Sequence, residues 1–208
     1  MKVSVSYLSS KNIPTDLRKL NVTDLDYIHV DVMDGRFVRN KTLSFSEVKE
    51  IHRFTNKRLD VHLMVKKPIK FIPKYATLNT EYITIHVEAK KIDKALDLIE
   101  EYGIKKGISI KPNTPLEELV PYLDKIDLIL VMSVEPGKGG QDFIEDTIDR
   151  IKELKKLLKE HKSKALISVD GGINEETKKK LKGVDILVSG SYVISSDDYQ
   201  EAILKLKK

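Results

Sequence analysis

One short segment of the chain reads Tyr27-Ile-His-Val-Asp-Val-Met-Asp-Gly35. A β-strand sends alternate side chains to opposite faces, so this alternation predicts a strand with His29, Asp31 and Met33 on one face. Three more apolar runs carry histidine or aspartate toward their carboxyl ends: Leu59-Asp-Val-His-Leu-Met-Val65, Tyr82-Ile-Thr-Ile-His86 and Leu166-Ile-Ser-Val-Asp-Gly-Gly172. We therefore expect several strands to present reactive side chains at the same end.

Short apolar runs alternate with longer amphipathic segments along the whole chain. The predicted strands are 2–7, 27–32, 59–64, 82–86, 106–110, 128–132, 166–169 and 185–188. The predicted helices are 14–20, 44–54, 68–76, 91–102, 115–122, 142–160, 174–182 and 197–207. This alternation favours a (β/α)8 barrel, the TIM barrel of the α/β class, over a doubly wound open sheet, which seldom uses eight units in so short a chain. No linker interrupts the pattern, so we expect a single barrel domain over residues 1–208.

Local signals agree with the predicted helix boundaries. Asn12-Ile-Pro14 and Asn113-Thr-Pro115 each place a capping side chain shortly before a proline, which predicts a helix start with proline in the first turn. Gly103 and Gly183 stand where a glycine is expected to end a helix. These signals support the order of elements that the apolar patterns predict.

Composition and charge exclude several classes of protein. Of the 208 residues 40% are hydrophobic, and no apolar run reaches the roughly 20 residues that a membrane helix needs. The net charge of +5 comes with lysines on one face of helical segments such as 150–162, so we expect a solvated surface and no binding to nucleic acid or membrane. The amino terminus is too short and polar for a signal peptide. Cysteine is absent, which excludes disulfides and thiol catalysis and agrees with a cytoplasmic location.

The polar strand ends suit a metal ion. In a TIM barrel the active site lies at the carboxyl ends of the strands, where His29, Asp31, His62 and Asp170 would converge. Two imidazoles and two carboxylates fit one divalent ion per subunit, whether Zn²⁺, Fe²⁺, Mn²⁺ or Co²⁺. The alternative is that each residue is an ordinary hydrogen-bonded group in the barrel mouth. We favour the metal site because all four ligand-type residues fall at strand ends.

Two carboxylates that face each other across a pocket also suggest acid–base catalysis. Asp31 and Asp170 could remove and return a proton from opposite faces of a carbon next to a ketone. A cation beside them would stabilise the negative charge that develops during the reaction. The outcome is inversion of one stereocentre, so these residues predict an epimerase.

Glycine-rich loops follow the last three predicted strands. They are Pro136-Gly-Lys-Gly-Gly-Gln141, Asp170-Gly-Gly172 and Ser189-Gly-Ser191. Backbone N–H groups and short helix N-termini in this part of a TIM barrel commonly hold phosphate, and glycine permits the close approach. We therefore predict a phosphorylated small-molecule substrate.

Methionines mark three of the strand ends. Met33, Met64 and Met132 are three of the four methionines in the chain, and His86 stands at a further strand end. Methionine fills irregular gaps in apolar cores, so these side chains could simply be barrel core. They could equally line the pocket and keep water from the reacting carbon. We predict that all four residues line the pocket.

The motifs resemble one known family. They are His29-Val-Asp-Val-Met-Asp-Gly-Arg-Phe-Val-Arg-Asn40, Asp60-Val-His-Leu-Met-Val65, Val131-Met-Ser-Val-Glu-Pro-Gly-Lys-Gly-Gly-Gln141 and Val169-Asp-Gly-Gly-Ile173. In this order they are similar to the motifs of ribulose-phosphate 3-epimerases. The resemblance runs from Val3 to about Ser191, nearly the whole chain.

The resemblance implies a metal-dependent barrel enzyme that interconverts D-ribulose 5-phosphate and D-xylulose 5-phosphate in the pentose phosphate pathway. It implies that Asp31 is the proton acceptor and Asp170 the proton donor. The implied metal ligands are His29, Asp31, His62 and Asp170. The implied substrate contacts are Ser6, His62, Gly137, Lys138, Gly139, Gly140, Asp170, Gly171, Gly172, Gly190 and Ser191. Because family members form dimers and larger rings, the resemblance also implies a homo-oligomer.

Three positions depart from the family pattern. Arg39 stands where the family usually has proline, Lys138 stands where it usually has an aromatic residue, and Tyr7 replaces a common aliphatic residue. None of these changes removes a predicted ligand or base. Lys138 belongs to the loop expected to cover the phosphate, where its charge could attract the substrate or alter loop closure.

Two other functions stay open on the sequence alone. The segment Asn40-Lys-Thr-Leu-Ser44 also resembles allulose-6-phosphate 3-epimerase, which applies the same chemistry to a hexulose phosphate. In contrast, Glu135-Pro-Gly-Lys-Gly-Gly140 looks more like the pentulose enzyme. A non-catalytic sugar-phosphate-binding barrel would be expected to lack at least one ligand or base, and none is missing.

Overall fold

Eight parallel strands close into a barrel in the order of the chain. The computed structural model describes residues 1–208. The strands are β1 (Lys2–Ser6), β2 (Tyr27–Met33), β3 (Arg58–Met64), β4 (Thr80–His86), β5 (Lys105–Ile110), β6 (Leu128–Met132), β7 (Leu166–Asp170) and β8 (Ile186–Ser189). Because β1 pairs with β8 as well as with β2, the sheet has no free edge. The predicted TIM barrel is therefore confirmed, and the open sheet is not formed.

Helices follow the strands along the chain. The α-helices are α1 (Ile13–Asn21), α2 (Phe45–Ile51), α3 (Ile72–Tyr75), α4 (Ile92–Glu101), α5 (Thr147–Glu160), α6 (Glu175–Lys180), α7 (Ser191–Ile194) and α8 (Tyr199–Lys207). Three 3₁₀ helices span His52–Phe54, Pro68–Lys70 and Leu116–Tyr122. None of the helices combines the length and the apolar character that crossing a bilayer requires.

The predicted boundary signals are present at α1 and α4. The side chain of Asn12 accepts a hydrogen bond from the backbone N–H of Thr15 at 3.2 Å, and Pro14 lies in the first turn of α1. Gly103 follows the end of α4 with a φ of +67°, in the left-handed region that glycine favours. In both helices a short sequence motif therefore sets the boundary.

The predicted helix at 115–122 folds as the 3₁₀ helix Leu116–Tyr122 instead of an α-helix. Pro121 lies inside this segment and has no N–H to donate to an α-helical hydrogen-bond ladder. A 3₁₀ helix is the tighter form that short segments adopt under such constraints. The first proline of the segment predicts where the helix starts, and the second explains why it is not an α-helix.

The predicted helix at 142–160 begins only at Thr147. The residues before it belong to a long loop, 133–146, that follows β6. Ile144 donates its N–H to the carbonyl of Ser133 at 2.8 Å, so the loop folds back toward the end of its own strand. The helix therefore starts later than the pattern of apolar residues predicts.

Inward and outward side chains alternate along the strands, as the sequence predicts for residues 27–35. Apolar side chains between the strands and the helices form one large core of 45 buried residues. Inside the barrel, an apolar layer at the amino ends of the strands contains Tyr27, Tyr82, Leu128 and Ile186. Further along β2 and β3, His29 pairs in register with Asp60, and Asp31 pairs with His62. The polar residues therefore lie above an apolar floor, toward the carboxyl ends of the strands.

Candidate active site

Four side chains from β2, β3 and β7 meet inside the carboxyl end of the barrel. The Oδ1 atom of Asp31 lies 3.5 Å from Nε2 of His29 and 3.4 Å from Nδ1 of His62. The Oδ2 atom of Asp170 lies 3.9 Å from each of the same two nitrogens. One ligand atom from each residue therefore lies within 4.8 Å of all the others. The structure brings together the four residues that the sequence analysis grouped.

The donor atoms of this cluster fit a divalent metal ion. Nε2 of His29 and Nδ1 of His62 are buried and have no hydrogen-bond partner. Such atoms are rare in folded proteins, because each one costs roughly 1–3 kcal/mol. Two unpartnered nitrogens face two carboxylates here, and one cation would satisfy all four groups. The cluster is able to bind a metal ion through mixed nitrogen and oxygen ligands.

Asp60 and two serines orient the members of the cluster on β2. Nδ1 of His29 lies 2.8 Å from Oδ2 of Asp60, and the hydroxyl of Ser4 donates to the same oxygen at 3.0 Å. Because a carboxylate only accepts, His29 donates through Nδ1, so Nε2 is the nitrogen that faces the cluster and that a metal ion would bind in place of a proton. The hydroxyl of Ser6 donates to Oδ2 of Asp31 at 2.8 Å, which leaves Oδ1 facing the imidazoles.

A chain of hydrogen bonds leads away from His62. Its Nε2 atom lies 2.9 Å from Nε2 of His86, and Nδ1 of His86 lies 3.1 Å from Oε2 of Glu88. Oε1 of Glu88 accepts hydrogen bonds from the N–H of Lys111 at 2.9 Å and from the hydroxyl of Thr114 at 2.6 Å. His86 is fully buried. The structure places it behind a histidine of the cluster, and it is not among the residues of the pocket wall, where we expected it.

The two carboxylates of the cluster have pKa values shifted in opposite directions. Burial by itself raises the pKa of Asp31, but the imidazoles of His29 and His62 outweigh it and hold that pKa well below its usual range. Burial raises the pKa of Asp170 to about 6; the imidazoles oppose this shift, and the charge of Asp31 adds to it. One ionised carboxylate and one that is readily protonated therefore share the site. This is the arrangement expected of an acid–base pair.

The pKa values of His29 and His86 are also shifted in opposite directions. Burial disfavours the charged form of His29, yet the carboxylates of Asp60 and Asp31 outweigh burial and hold the pKa of His29 well above its ordinary value. For His86, burial prevails and lowers the pKa to about 4. Burial also works against the charge of Glu88, but hydrogen bonds led by the one to His86 lower its pKa to about 2. A neutral imidazole therefore lies against an ionised carboxylate.

Most of the predicted site residues line one pocket above the cluster. Its walls contain Ser6, Asp31, Met33, Met64, Met132, Gly137, Lys138, Gly139, Gly140, Asp170, Gly171, Gly172, Gly190 and Ser191. The three methionines are buried and form the apolar part of the wall. His29 and His62 are fully buried and lie behind this surface.

Glycines allow the loops over the pocket to pack closely. Gly171 has a φ of +122° and Gly172 a φ of +62°, and a Cβ atom on Gly172 would come within 2.6 Å of the backbone nitrogen of Phe143. Nδ2 of Asn40 donates to the carbonyl of Gly137 at 2.8 Å. The loop after β6 therefore contacts the loops after β2 and β7, next to the pocket that all three border.

Sequence reasoning missed Asp60 and Glu88 as residues of the site. Both carried a signal, since Asp60 precedes His62 by two positions and Glu88 follows His86 by two positions. Alternation places Asp60 on the same face of β3 as His62, whereas Glu88 lies in the turn that follows the end of β4 at His86. What the alternation does not provide is the strand register, which sets Asp60 opposite His29.

The closed barrel and its imidazole–carboxylate pocket define an enzyme of the TIM-barrel class whose site can hold a metal ion. Comparison with known proteins identifies the group within this class. The sequence profile of the Ribulose-phosphate 3 epimerase family matches residues 2–194. The chain belongs to this family and is an isomerase, which confirms the resemblance that its motifs predict.

Individual relatives agree with the family profile. The chain is 37% identical over 213 residues to ribulose-phosphate 3-epimerase of Bacillus subtilis (strain 168), covering 100% of this chain and 98% of that protein. It is 38% identical over 206 residues to ribulose-phosphate 3-epimerase of Helicobacter pylori (strain J99 / ATCC 700824), covering 98% and 95%. The solved structure of 3-hexulose-6-phosphate synthase from Salmonella typhimurium matches with a TM-score of 0.70 and 20% identity, covering 99% of this chain and 96% of that one. At this identity the structural likeness shows a shared fold alone.

Proposed function

We propose that the protein interconverts D-ribulose 5-phosphate and D-xylulose 5-phosphate by two-base proton transfer at C3, with one divalent metal ion bound in the cluster. The observation that carries the proposal is the placement of Asp31 and Asp170. Each faces the same two imidazole nitrogens at between 3.4 and 3.9 Å, yet their pKa values are shifted in opposite directions. Membership of the epimerase family supports the same reaction.

Asp31 is the proton acceptor in this proposal. Its carboxylate is ionised and is oriented by the hydroxyl of Ser6, so it can take the C3 hydrogen from one face of the sugar. Asp170 comes from β7 and is the more readily protonated of the two, so it can deliver a proton to C3 from the opposite face. The two residues exchange roles in the reverse reaction, as a reversible epimerisation requires.

His29, Asp31, His62 and Asp170 would hold the metal ion, which we expect to be Zn²⁺, Fe²⁺, Mn²⁺ or Co²⁺. When bound, the ion supplies Lewis-acid polarisation of the ketone oxygen of the substrate. The three methionines of the pocket wall limit the access of water to C3, which protects the carbon from unproductive proton exchange.

The glycine-rich loops would bind the phosphate of the substrate. Gly171, Gly172 and Gly190 bring the backbone to one wall of the pocket, and Ser191 adds a hydroxyl there. Backbone N–H groups in such loops are suitable donors to a phosphate. The loop 137–140 borders the same pocket and carries the positive charge of Lys138. Ser6 and His62 stay predictions as direct substrate contacts.

Proton exchange followed by NMR in D₂O tests this function. Metal-loaded protein is mixed with ribulose 5-phosphate or, separately, with allulose 6-phosphate. We expect deuterium to enter at C3 of the pentulose while the signals of xylulose 5-phosphate grow. Exchange in the hexulose phosphate alone would assign the protein to the alternative substrate that the segment 40–44 suggests. Absence of exchange with either compound would refute catalysis and leave a sugar-phosphate-binding barrel.

Three further properties stay predictions. We expect the reaction to serve the pentose phosphate pathway, the protein to work in the cytoplasm, and the barrels to assemble as a homo-oligomer. Gel filtration combined with light scattering would measure the assembly directly.

A further inference from the structure

The hydrogen-bond chain from His62 to Glu88 has a fixed direction. Glu88 accepts at both carboxylate oxygens, and the backbone N–H of Lys111, 2.9 Å from Oε1, can act only as a donor. The loop that carries Lys111 is itself held in place, because Nη2 of Arg150 donates to the carbonyls of Lys111 at 3.3 Å and of Thr114 at 2.8 Å. The Glu88 end of the hydrogen-bond chain is therefore fixed by backbone groups of the loop after β5.

Starting from this anchor, each proton in the chain can be assigned. Because Oε2 of Glu88 accepts, Nδ1 of His86 carries a hydrogen, and Nε2 of the neutral ring is left as an acceptor. Nε2 of His86 lies 2.9 Å from Nε2 of His62, a contact that needs a single hydrogen. That hydrogen belongs to His62. In the neutral form of His62, the form that can bind a metal ion, this leaves no hydrogen on Nδ1, the nitrogen that faces Asp31 and Asp170 without a hydrogen-bond partner.

We propose that Glu88 is a positioning residue that acts through His86 to hold His62 in the tautomer whose Nδ1 can bind a metal ion. The inference rests on the proposed function, in which His62 is a metal ligand. Residues that orient a ligating imidazole in this way typically change metal affinity by about 10- to 100-fold when they are replaced. Here the carboxylate acts across a second imidazole, and it does not touch the metal site.

The variant Glu88→Gln should reverse the direction of these hydrogen bonds while the side chain at position 88 keeps nearly the same size. The N–H of Lys111 keeps the amide oxygen at the position of Oε1, so the amide NH₂ must face Nδ1 of His86. Nδ1 of His86 then accepts, its hydrogen moves to Nε2, and Nε2 of His62 must accept in turn. The hydrogen of His62 moves to Nδ1 and blocks that nitrogen. The matched control is Thr114→Val, which removes a neighbouring hydrogen bond to Glu88 but leaves the carboxylate and the N–H of Lys111 in place.

The experiment is two-bond ¹H–¹⁵N NMR of the histidine rings, with a Zn²⁺ affinity measured by competition against a chromophoric chelator. In wild-type protein we expect hydrogen on Nε2 of His62 and on Nδ1 of His86. In Glu88→Gln we expect both tautomers to be exchanged and Zn²⁺ affinity to fall by about 10- to 100-fold. Thr114→Val should keep the wild-type tautomers and affinity.

The outcomes separate this inference from the proposed function. A wild-type spectrum with hydrogen on Nδ1 of His62 overturns the inference without any variant, and so does a folded Glu88→Gln protein with unchanged tautomers and Zn²⁺ affinity. If instead wild-type protein has the expected tautomers but binds no Zn²⁺ and exchanges no C3 proton, the proposed function fails while the assignment of the hydrogen bonds stands.

Discussion

The two histidines of the cluster are oriented by different kinds of partner. His29 contacts the carboxylate of Asp60 directly, whereas His62 reaches the carboxylate of Glu88 through the ring of His86. In both cases the carboxylate accepts a hydrogen bond at the far side of an imidazole, so the other ring nitrogen is the one that faces the cluster. Single substitutions can therefore separate the orientation of a ligand from the chemistry of the reaction.

Asp170→Asn tests the proposed proton donor. We expect epimerisation to fall by about 10²- to 10⁴-fold, the usual contribution of a positioned acid or base. Asp31 is left intact, so one of the two epimers should still exchange its C3 hydrogen with D₂O faster than it is converted. The measurement is NMR on each epimer separately. Asp149→Asn, an exposed carboxylate paired with Lys152 on α5, is the matched control and should retain full activity. Equal loss of exchange and conversion from both epimers, in a variant that still binds the metal ion, would contradict the two-base assignment.

Lys138→Gln tests the charge on the loop after β6. Lys138 is exposed beside the pocket, and an exposed ion pair contributes about 0.2–1 kcal/mol, so KM should rise by about 1.5- to 5-fold with kcat maintained. Salt screens such charges, and the difference from wild type should therefore shrink at high ionic strength. Steady-state kinetics at two salt concentrations provide the measurement. Lys156→Gln, an exposed lysine on α5, is the control. An unchanged KM at low salt would remove any role for this charge.

The four residues of the cluster could be predicted from sequence because each is an isolated polar residue at the end of an apolar strand. Asp60 and Glu88 could not be assigned the same way. Asp60 contacts His29 because β2 and β3 pair in a particular register, and Glu88 contacts His86 and the loop after β5. The contacts with His29 and with the loop after β5 join segments that are separate in the sequence, so a local sequence pattern does not predict them. For the same reason the sequence predicts His86 in the pocket wall, although it lies behind His62.

At the level of elements, the sequence predicts the strands more accurately than the helices. A barrel strand is buried on both faces, and its apolar run ends where the burial ends. Helix limits depend on competing hydrogen bonds. The segment before Thr147 has a helical pattern, but the contact of Ile144 with Ser133 keeps it in the loop. The short helix α7 (Ser191–Ile194) is absent from the prediction, because four residues are too few to establish a helical period.

Ser44→Ala tests a capping motif at the scale of one helix. The hydroxyl of Ser44 accepts from the N–H of Glu47, and the Glu47 carboxylate accepts from the N–H of Ser44, which forms a capping box at the start of α2. Its loss should cost about 0.5–2 kcal/mol and lower Tm by a few degrees. Thermal unfolding followed by circular dichroism measures the change, with Lys49→Ala at an exposed position of the same helix as control. Activity should be retained, and a Tm equal to that of wild type would show that the cap is not formed.

At the scale of the whole molecule, the cluster joins parts of the barrel that are distant in the chain. Its residues stand on β2, β3 and β7, and β7 is connected to β2 only through the closed ring of strands. A ligand that binds all of them should favour the folded state over any partly open one. Metal binding and barrel stability are thus linked.

Zn²⁺ should therefore raise Tm of the wild-type protein. A ligand at about 100 times its dissociation constant adds about 2.7 kcal/mol of stability, and each kcal/mol raises Tm by about 2–4 °C in a chain of this size. We expect a rise of about 5–10 °C, which an excess of EDTA should reverse. The same titration of His62→Asn, which lacks one ligand, should show a smaller rise. A shift of equal size in that variant would place the Zn²⁺ elsewhere on the protein.

Closure of the barrel by the pairing of β8 with β1 has a consequence for folding during translation. The chain emerges from its amino terminus, so His29, Asp31 and His62 leave the exit tunnel well before Asp170, and the last strand leaves later still. A product that terminates between β3 and β7 has three of the four residues on an unclosed sheet, whose exposed strand edge favours aggregation and proteolysis. Such a fragment cannot assemble the two-carboxylate pocket. The barrel can close, and the protein can function, only after β8 has been translated.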